Sequence, residues 1–402
     1  MRKSTLVVSK QFQNLMAYKK LAGPVPRILV LECGYWVDAA CLNAIRILGW
    51  EAAIVQVPMQ GIMPRETMTN FVCCITDFRP DFVLSVNLSG MDSAGLISRF
   101  LADLAIPHVT WFVDDPRTIL MGNQVYGSDY AVALTWESAY VSYLESLSFS
   151  VVKTLPLATD PVLFHGLPCE NSSIPPTFIG NSMDDFSERE SRWFEAYPEL
   201  ATKIDAAFNA ELVTRHNFKR GMNAILGDDF ARQMNSEEER HCELYCFIEG
   251  TRRLRNDMVK ALTPLGLWVR GDDNWKKYTA QWGPGINYKC DLAHYYQACA
   301  VNLNSTSIQM ATAVNQRVFD CPAAGGFLLT DHQSSLESLF DTGKEIITYQ
   351  SLDECKELFK FYLNKPRLRQ KVVLAARERI LREHTYIHRM RYIVELVKQS
   401  FS

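Results

Sequence analysis

The sequence predicts an α/β protein built from two doubly wound parallel-sheet domains, and three observations predict it. Its 402 residues, 48% of them hydrophobic, exceed what a single core usually holds, which favours two domains. Short apolar runs alternate with stretches of helical periodicity through both halves, the pattern of a parallel sheet covered on both faces. A Pro- and Ser-rich segment, HGLPCENSSIPP at 165–176, separates the two series and reads as a linker.

The first series opens with RILVLEC (27–33), a Gly34 turn, and Val37, Ala40, Cys41, Ala44, Ile45 and Leu48 at helical spacing. Gly49 stops that helix and AAIVQV (52–57) follows as a second strand. DFVLSV (81–86) is the third, Asp92 caps a helix carrying Leu96, Ile97, Phe100, Leu101 and Leu104, and HVTWFV (108–113), DYAVALT and SVVKTLPL continue the sheet. Beyond the linker, TFIG (177–180), LWVRG (267–271), AVNLN (300–304), GFLLT (326–330) and EIITY (345–349) read as buried strands. Residues 184–250 are polar, charged and helical in pattern, an insertion after the first strand of the second domain. The expected boundaries are 1–163 for the first domain, 164–376 for the second, and 377–402 for a C-terminal helix returning to the first.

Charge excludes some functions. With 42 basic and 45 acidic residues and a net charge of -3, no long stretch carries one sign, so no general affinity for nucleic acid or anionic membrane is expected and any phosphate binding must be local. Eleven cysteines lack the spacing of a metal site or a disulfide framework. The adjacent Cys73 and Cys74, between Phe71 and Ile75, read as core packing. The N-terminal apolar run is too short for a secretory signal, and no run approaches the roughly 18 apolar residues of a membrane helix. A cytoplasmic protein without an integral membrane segment is expected.

The richest chemistry lies in NLNSTSIQMATAVNQRVFDCPAAGGFLLT, Asn302 to Thr330. Asn304, Ser305, Thr306 and Ser307 sit where a helix is expected to begin, so backbone N–H groups and hydroxyls there suit a diphosphate; ordinary N-capping accounts for each of them equally well. Arg317 offers bidentate contact to phosphate, and Asp320, one turn on, suits ribose hydroxyls. The small residues of Cys321–Gly326 permit close approach at the carboxyl ends of the strands, where open α/β sheets bind ligands.

The stretch from Gln316 to Met390 resembles the C-terminal part of CgeB-like (spore-maturation type) glycosyltransferases. Asn315, Arg317, Phe319 and Asp320 occupy that family's donor-site pattern, and His384, Thr385 and Arg389 its closing motif. VTWFVDDPR (109–117) and TLPLATDPVLFH (154–165) resemble its acceptor-domain strand and crossover. The resemblance implies the GT-B arrangement, two Rossmann-like domains facing a cleft, and a nucleoside-diphosphate sugar donor. It departs from the pattern where Asp320 replaces the usual glutamate and where Thr312 breaks a Glu-x7-Glu pair.

Under that resemblance Gly180 and Asn181 form the first turn of the donor domain, Gly180 allowing close approach to the donor or simply a tight turn. Gly271 to Trp275 follows another strand, with Trp275 stacking on the base or packing. Asp114 and Asp115 end a strand of the acceptor domain, and either serves as general base, Asp115 preferred; the alternative is a turn or helix cap before Pro116. His384 and His388 are one helical turn apart without metal-binding partners nearby and read as helix-surface residues. No Asp-x-Asp occurs, so no metal or other cofactor is expected and Arg317, hydroxyls and helix-end amides meet the diphosphate charge. The expected function is glycosyl transfer to an acceptor hydroxyl of a protein, glycan or small molecule. A nucleotide-sugar epimerase and a non-catalytic binding module are the alternatives.

Overall fold

A computed structural model describes residues 8–59, 63–120, 127–169, 172–210 and 236–401. The chain forms two compact units, Met1–Val162 with Arg382–Ser402, and Leu163–Leu381.

In the first unit α1 (Lys10–Leu15) precedes β1 (Arg27–Glu32), α2 (Trp36–Ile47), β2 (Glu51–Gln56), α3 (Arg65–Phe78), β3 (Phe82–Val86), α4 (Leu96–Asp103), β4 (His108–Phe112), α5 (Pro116–Ile119), β5 (Ala131–Thr135), α6 (Val141–Glu145) and β6 (Val151–Thr154). The strands form one sheet in the order β2-β1-β3-β4-β5-β6, every pairing parallel. Each apolar run of the first series becomes one of these strands. The central β3, β4 and β5 are buried at every position, because helices cover both faces of a parallel sheet. Asp92 anchors α4 as expected, accepting from the amides of Leu96 (2.9 Å) and Ile97 (2.8 Å). Cys73 corrects an expectation: it is exposed and Cys74 half-exposed, since only Phe71 and Ile75 of α3 turn inward.

The last helix, Tyr386–Phe401, belongs to this unit and packs on α2. Tyr386 inserts between Trp36 and Trp111, at ring distances of 6.2 and 5.8 Å. The amide of Thr159 donates to His384 O (2.9 Å) and that of Tyr386 to Thr159 O (3.0 Å). The Arg389 guanidinium donates to Pro156 O (2.7 Å) and Leu157 O (2.9 Å). The His-Thr-Arg motif is therefore a tie that satisfies buried carbonyls. His384 is buried within it, not on a helix surface as expected.

The second unit runs β7 (Thr177–Ile179), α7 (Asp184–Ser191), α8 (Pro198–Asn209), α9 (Ser236–Leu262), β8 (Trp268–Gly271), β9 (Trp282–Pro284), α10 (Leu292–Ala298), β10 (Asn302–Leu303), α11 (Arg317–Ala323), β11 (Leu328–Asp331), α12 (Leu336–Leu339), β12 (Ile347–Tyr349), α13 (Leu352–Leu363) and α14 (Pro366–Glu383); the last helix is α15. Its sheet order is β12-β11-β10-β7-β8-β9, again all parallel. The edge strand β9 was not foreseen: three residues ending in Pro284 give no alternation to read.

The helical insertion extends past residue 250. Its helices enclose a small core of their own, in which Phe194, Leu200 and Ile204 meet Cys242, Cys246 and Phe247. The same α9 continues to Leu262, where Met258, Val259 and Leu262 join the core of the sheet with Phe178, Val269 and Phe359. One helix serves both cores, so polar composition upstream did not mark its end. Residues 211–235 of the insertion lie outside the described residues.

Candidate functional site

In the second sheet the chain leaves β7 for β8 and β9 on one side and then returns to place β10 to β12 on the other. The switch point lies between β7 and β10, and ligands of open α/β sheets bind outside the strand ends there.

At this edge Asn304 is a hub with 0% exposure. Its Oδ1 accepts from Asn315 Nδ2 (2.9 Å) and Arg317 Nη1 (2.7 Å), and its Nδ2 donates to Thr330 Oγ1 (2.9 Å). Arg317 also donates through Nε to the Tyr296 hydroxyl (3.3 Å) and through Nη2 to Ile179 O. Asn304 and Asn315 thus orient the arginine from within the unit.

A second guanidinium converges on the same strand end. Arg255 of α9 donates through Nη1 to Asn181 O (2.7 Å), and its Nε is buried without a partner among the described residues. The guanidiniums of Arg317 and Arg255 lie 5.7 and 5.9 Å from the Phe178 ring. Burial, and next the charge of Arg317, pull the Arg255 pKa down from 12.5 to about 10, with Asp331 and Asp272 opposing. Neither arginine forms a salt bridge with a carboxylate among the described residues. Sequence reasoning missed Arg255, although a signal existed. Glu249 pairs with Arg252 at i+3 and Arg253 at i+4, which leaves the third arginine of RRLR off the acidic face.

Other expected donor residues fall differently. Residues 305–307 do not open a helix; the segment after β10 is irregular until α11 begins at Arg317. Asp331 takes both the amide (2.9 Å) and the hydroxyl (2.9 Å) of Thr306, while Thr251 Oγ1 bonds the Ser307 hydroxyl (3.0 Å) and accepts from the Ile308 amide (3.1 Å). Side chains that bond the backbone in this way compete with helix formation, so the helix dipole proposed for Ser305, Thr306 and Ser307 is absent. Asp320 is 1% exposed and accepts from Tyr288 (2.8 Å) and Gln316 (2.9 Å), facing inward instead of forming a surface face with Arg317.

Trp275 is fully buried, donates to Gly180 O (2.8 Å) and meets Phe178 edge-on; it packs and does not stack on a base. Gly271 is required for the same packing, since a Cβ there would stand 2.1 Å from Gly180 O. A Cβ at Gly180 would itself lie 2.9 Å from the Phe178 ring, so the glycine serves the turn. Asn181 is exposed and its side chain accepts from the Met183 amide (2.6 Å).

In the first unit the two aspartates separate. Asp115 is 3% exposed, caps α5 through the Arg117 amide (2.9 Å) and pairs with the Arg117 guanidinium (2.8 Å). Neutralised and buried, it is the capping residue and not the preferred base. Asp114 is half-exposed; its Oδ2 accepts from the Tyr35 hydroxyl (2.7 Å) and Asn87 Nδ2 (2.7 Å), and its Oδ1 has no partner among the described residues. Burial, then the bond to Asp114, raise the Tyr35 pKa beyond the ordinary phenol range, so the hydroxyl stays protonated and donates. Asn87 holds a left-handed backbone (φ 51°), and its Oδ1 accepts from the Val113 amide (2.9 Å), fixing the amide that grips Asp114. Tyr35 and Asn87 carried no sequence signal.

Among the described residues no cluster of three metal-ligating side chains occurs, and no helix is long and apolar enough to cross a membrane.

A family model described as glycosyl transferase-like matches residues 251–395. No curated protein sequence matches the chain. Among solved structures, a glycosyltransferase from Rickettsia africae ESF-5 aligns with a TM-score of 0.53 at 12% identity, over 94% of this chain and 99% of the other. Sucrose-phosphate synthase from Thermosynechococcus elongatus aligns at 0.52 and 11%, over 94% and 99%. Anabaena HepE, solved with UDP and glucose, aligns at 0.50 and 10%, over 93% and 100%. The chain has the two-domain GT-B glycosyltransferase fold, and its residues 251–395 form the glycosyl transferase-like part that carries Arg255, Asn304 and Arg317.

Proposed function

We propose that this protein transfers a glycosyl group from a nucleoside-diphosphate sugar, bound by the C-terminal unit, to an acceptor hydroxyl activated by Asp114 of the N-terminal unit. The guanidinium pair carries this reading. Two like charges without a carboxylate partner, at a strand end and against one aromatic ring, are unfavourable alone. They become favourable when a diphosphate accepts from both. Such a pair also stabilises the negative charge that grows on the leaving diphosphate. HepE, of the same fold, was solved with UDP and glucose, which supports a nucleotide-sugar donor here.

Asp114 suits the base because one oxygen is held by two donors while the other is open to accept a proton. The reading includes metal independence, with Arg255 and Arg317 meeting the diphosphate charge, membership of the CgeB-like group that the C-terminal motif resembles, and a protein, glycan or small-molecule acceptor. It includes a cytoplasmic location, which the free cysteines suit.

Nucleotide release from a panel of nucleoside-diphosphate sugars, with EDTA present, tests the reading. Release is expected to survive EDTA and to fall at least a hundredfold in Arg317→Ala. A chain that releases nucleotide from no donor, or whose Arg317→Ala variant keeps wild-type kcat/KM, rules it out.

A further inference from the structure

A cavity of about 640 Å³ opens at the carboxyl ends of β10, β11 and β12, between α9 and the start of α13. Of the donor-site candidates only Ser305 lines it. Its apolar wall is Leu254, Met258 and Leu352, and its polar groups include Ser305, Asp257 and Asp331. Ser305 is 2% exposed, and its Oγ is buried with no hydrogen-bond partner among the described residues. A buried hydroxyl without a partner is unfavourable and marks a place for a ligand atom or an ordered water.

The cavity is joined to the guanidinium pair by one intervening residue, Asn304. Tyr349, in its wall, donates to Asn304 O (2.6 Å), and the side chain of the same Asn304 holds Arg317. Leu254 and Asp257 flank Arg255 along α9. Yet the charge is opposite. Among the described residues no lysine or arginine lines the cavity; the carboxylates facing it are Asp257 and Asp331. The two guanidiniums thus stand at the end of β7 and the cavity's carboxylates at the ends of β10 to β12. That division fits a molecule that is anionic at one end and hydroxyl-rich but uncharged at the other.

Resting on the glycosyl-transfer reading, we propose that this cavity holds the sugar of the donor and selects a neutral or amino sugar over an anionic one. Carboxylates accept from sugar hydroxyls, the Ser305 hydroxyl supplies a further partner, and Leu254 and Leu352 meet the apolar face of the ring. A uronic acid there faces Asp257 and Asp331 with no lysine or arginine in the cavity wall, which is selection by repulsion.

The test is calorimetry on the full chain with uridine, guanosine, adenosine and thymidine diphosphates, each compared with its glucose or mannose diphosphosugar and, where one exists, its uronic acid. Two variants on the outer face of α9, Asp257→Lys and Leu254→Trp, are measured beside wild type. In wild type the neutral sugar is expected to improve affinity about tenfold over the diphosphate alone, and the uronic acid to give no gain. Asp257→Lys is expected to reverse that order and Leu254→Trp to abolish the neutral gain, both with diphosphate affinity kept. Equal gains from neutral and anionic sugars in wild type, or a neutral gain untouched by both variants, overturns the proposal. Absence of diphosphate binding in wild type fails the guanidinium reading itself and is seen before any sugar is compared.

Discussion

Arg255→Met should bind nucleoside diphosphate more weakly while losing little or no stability without ligand. In the folded chain the charged form of Arg255 is disfavoured, its pKa drawn from 12.5 to about 10, which is on the order of 3 kcal/mol at about 1.4 kcal/mol per pH unit. For a cation with a lowered folded pKa the penalty is full below pH 10 and fades between 10 and 12.5, so it acts undiminished at neutral pH. Methionine removes it. Against that stand one bond to Asn181 O at about 1 kcal/mol and the Phe178 contact at about 0.5–1 kcal/mol. The balance is zero to about 2 kcal/mol in favour of the variant, a rise of a few degrees in the melting of this unit. Loss of a charge-assisted bond to phosphate weakens binding by about 1.5–3 kcal/mol, roughly 10- to 150-fold in Kd. Differential scanning fluorimetry with and without nucleoside diphosphate measures both. A variant that melts far below wild type without ligand and keeps its ligand-induced shift refutes the reasoning, because the guanidinium is then structural.

Asp114→Asn should lower kcat for transfer by about 10²- to 10⁴-fold with donor Kd unchanged, checked by nucleotide release and calorimetry; an equal loss in donor affinity counts against a base. Asp115→Ala should instead lower stability to denaturant by about 1–3 kcal/mol, since it removes a helix cap and half of a partly buried ion pair. Gly271→Ala should cost about 3 kcal/mol or more and soluble yield, because its Cβ meets backbone 2.1 Å away that no rotamer can relieve. Burial depresses the His108 pKa to about 3, so the imidazole is neutral in the folded state while the unfolded chain protonates below 6.5. Stability of the first unit should therefore fall as pH drops from 6.5 toward 3, by up to about 1.4 kcal/mol per pH unit. Urea denaturation of wild type and His108→Leu at several pH values should show a shallower slope in the variant.

The two sheets were legible because a parallel sheet buries whole strands. RILVLEC, DFVLSV, HVTWFV and GFLLT are apolar on both faces, and each became a strand within a residue or two of its run. What did not alternate or run could not be read. β9 is three residues at an edge, and α9 changes from the insertion's core to the sheet's core without changing its polar character. Arg317 was singled out by its place before the small-residue stretch, and it lies among strand-end groups, bonded to Asn304 and to Ile179 O.

The rest of the site was hidden because whether a charge or an amide is satisfied is settled by partners far along the chain. Thr306 looked like a free helix start until Asp331, 25 residues later, captured both its amide and its hydroxyl. Asp115 looked like the better base until Arg117 neutralised it, whereas Asp114 was singled out by Tyr35, 79 positions upstream. Arg255 differs from Arg252 and Arg253 in lacking a carboxylate partner among the described residues, whereas those two share Glu249 and pair further with Asp184 and Asp205. If absence of a partner is what marks the functional cation, then giving Arg255 one should abolish it. Asn181 supplies the place, since its carbonyl already holds Arg255 and its side chain is exposed. Asn181→Asp should bring a carboxylate near the guanidinium, stabilise the unliganded unit and weaken diphosphate binding about tenfold, whereas Asn181→Ser, without the charge, should leave that affinity unchanged.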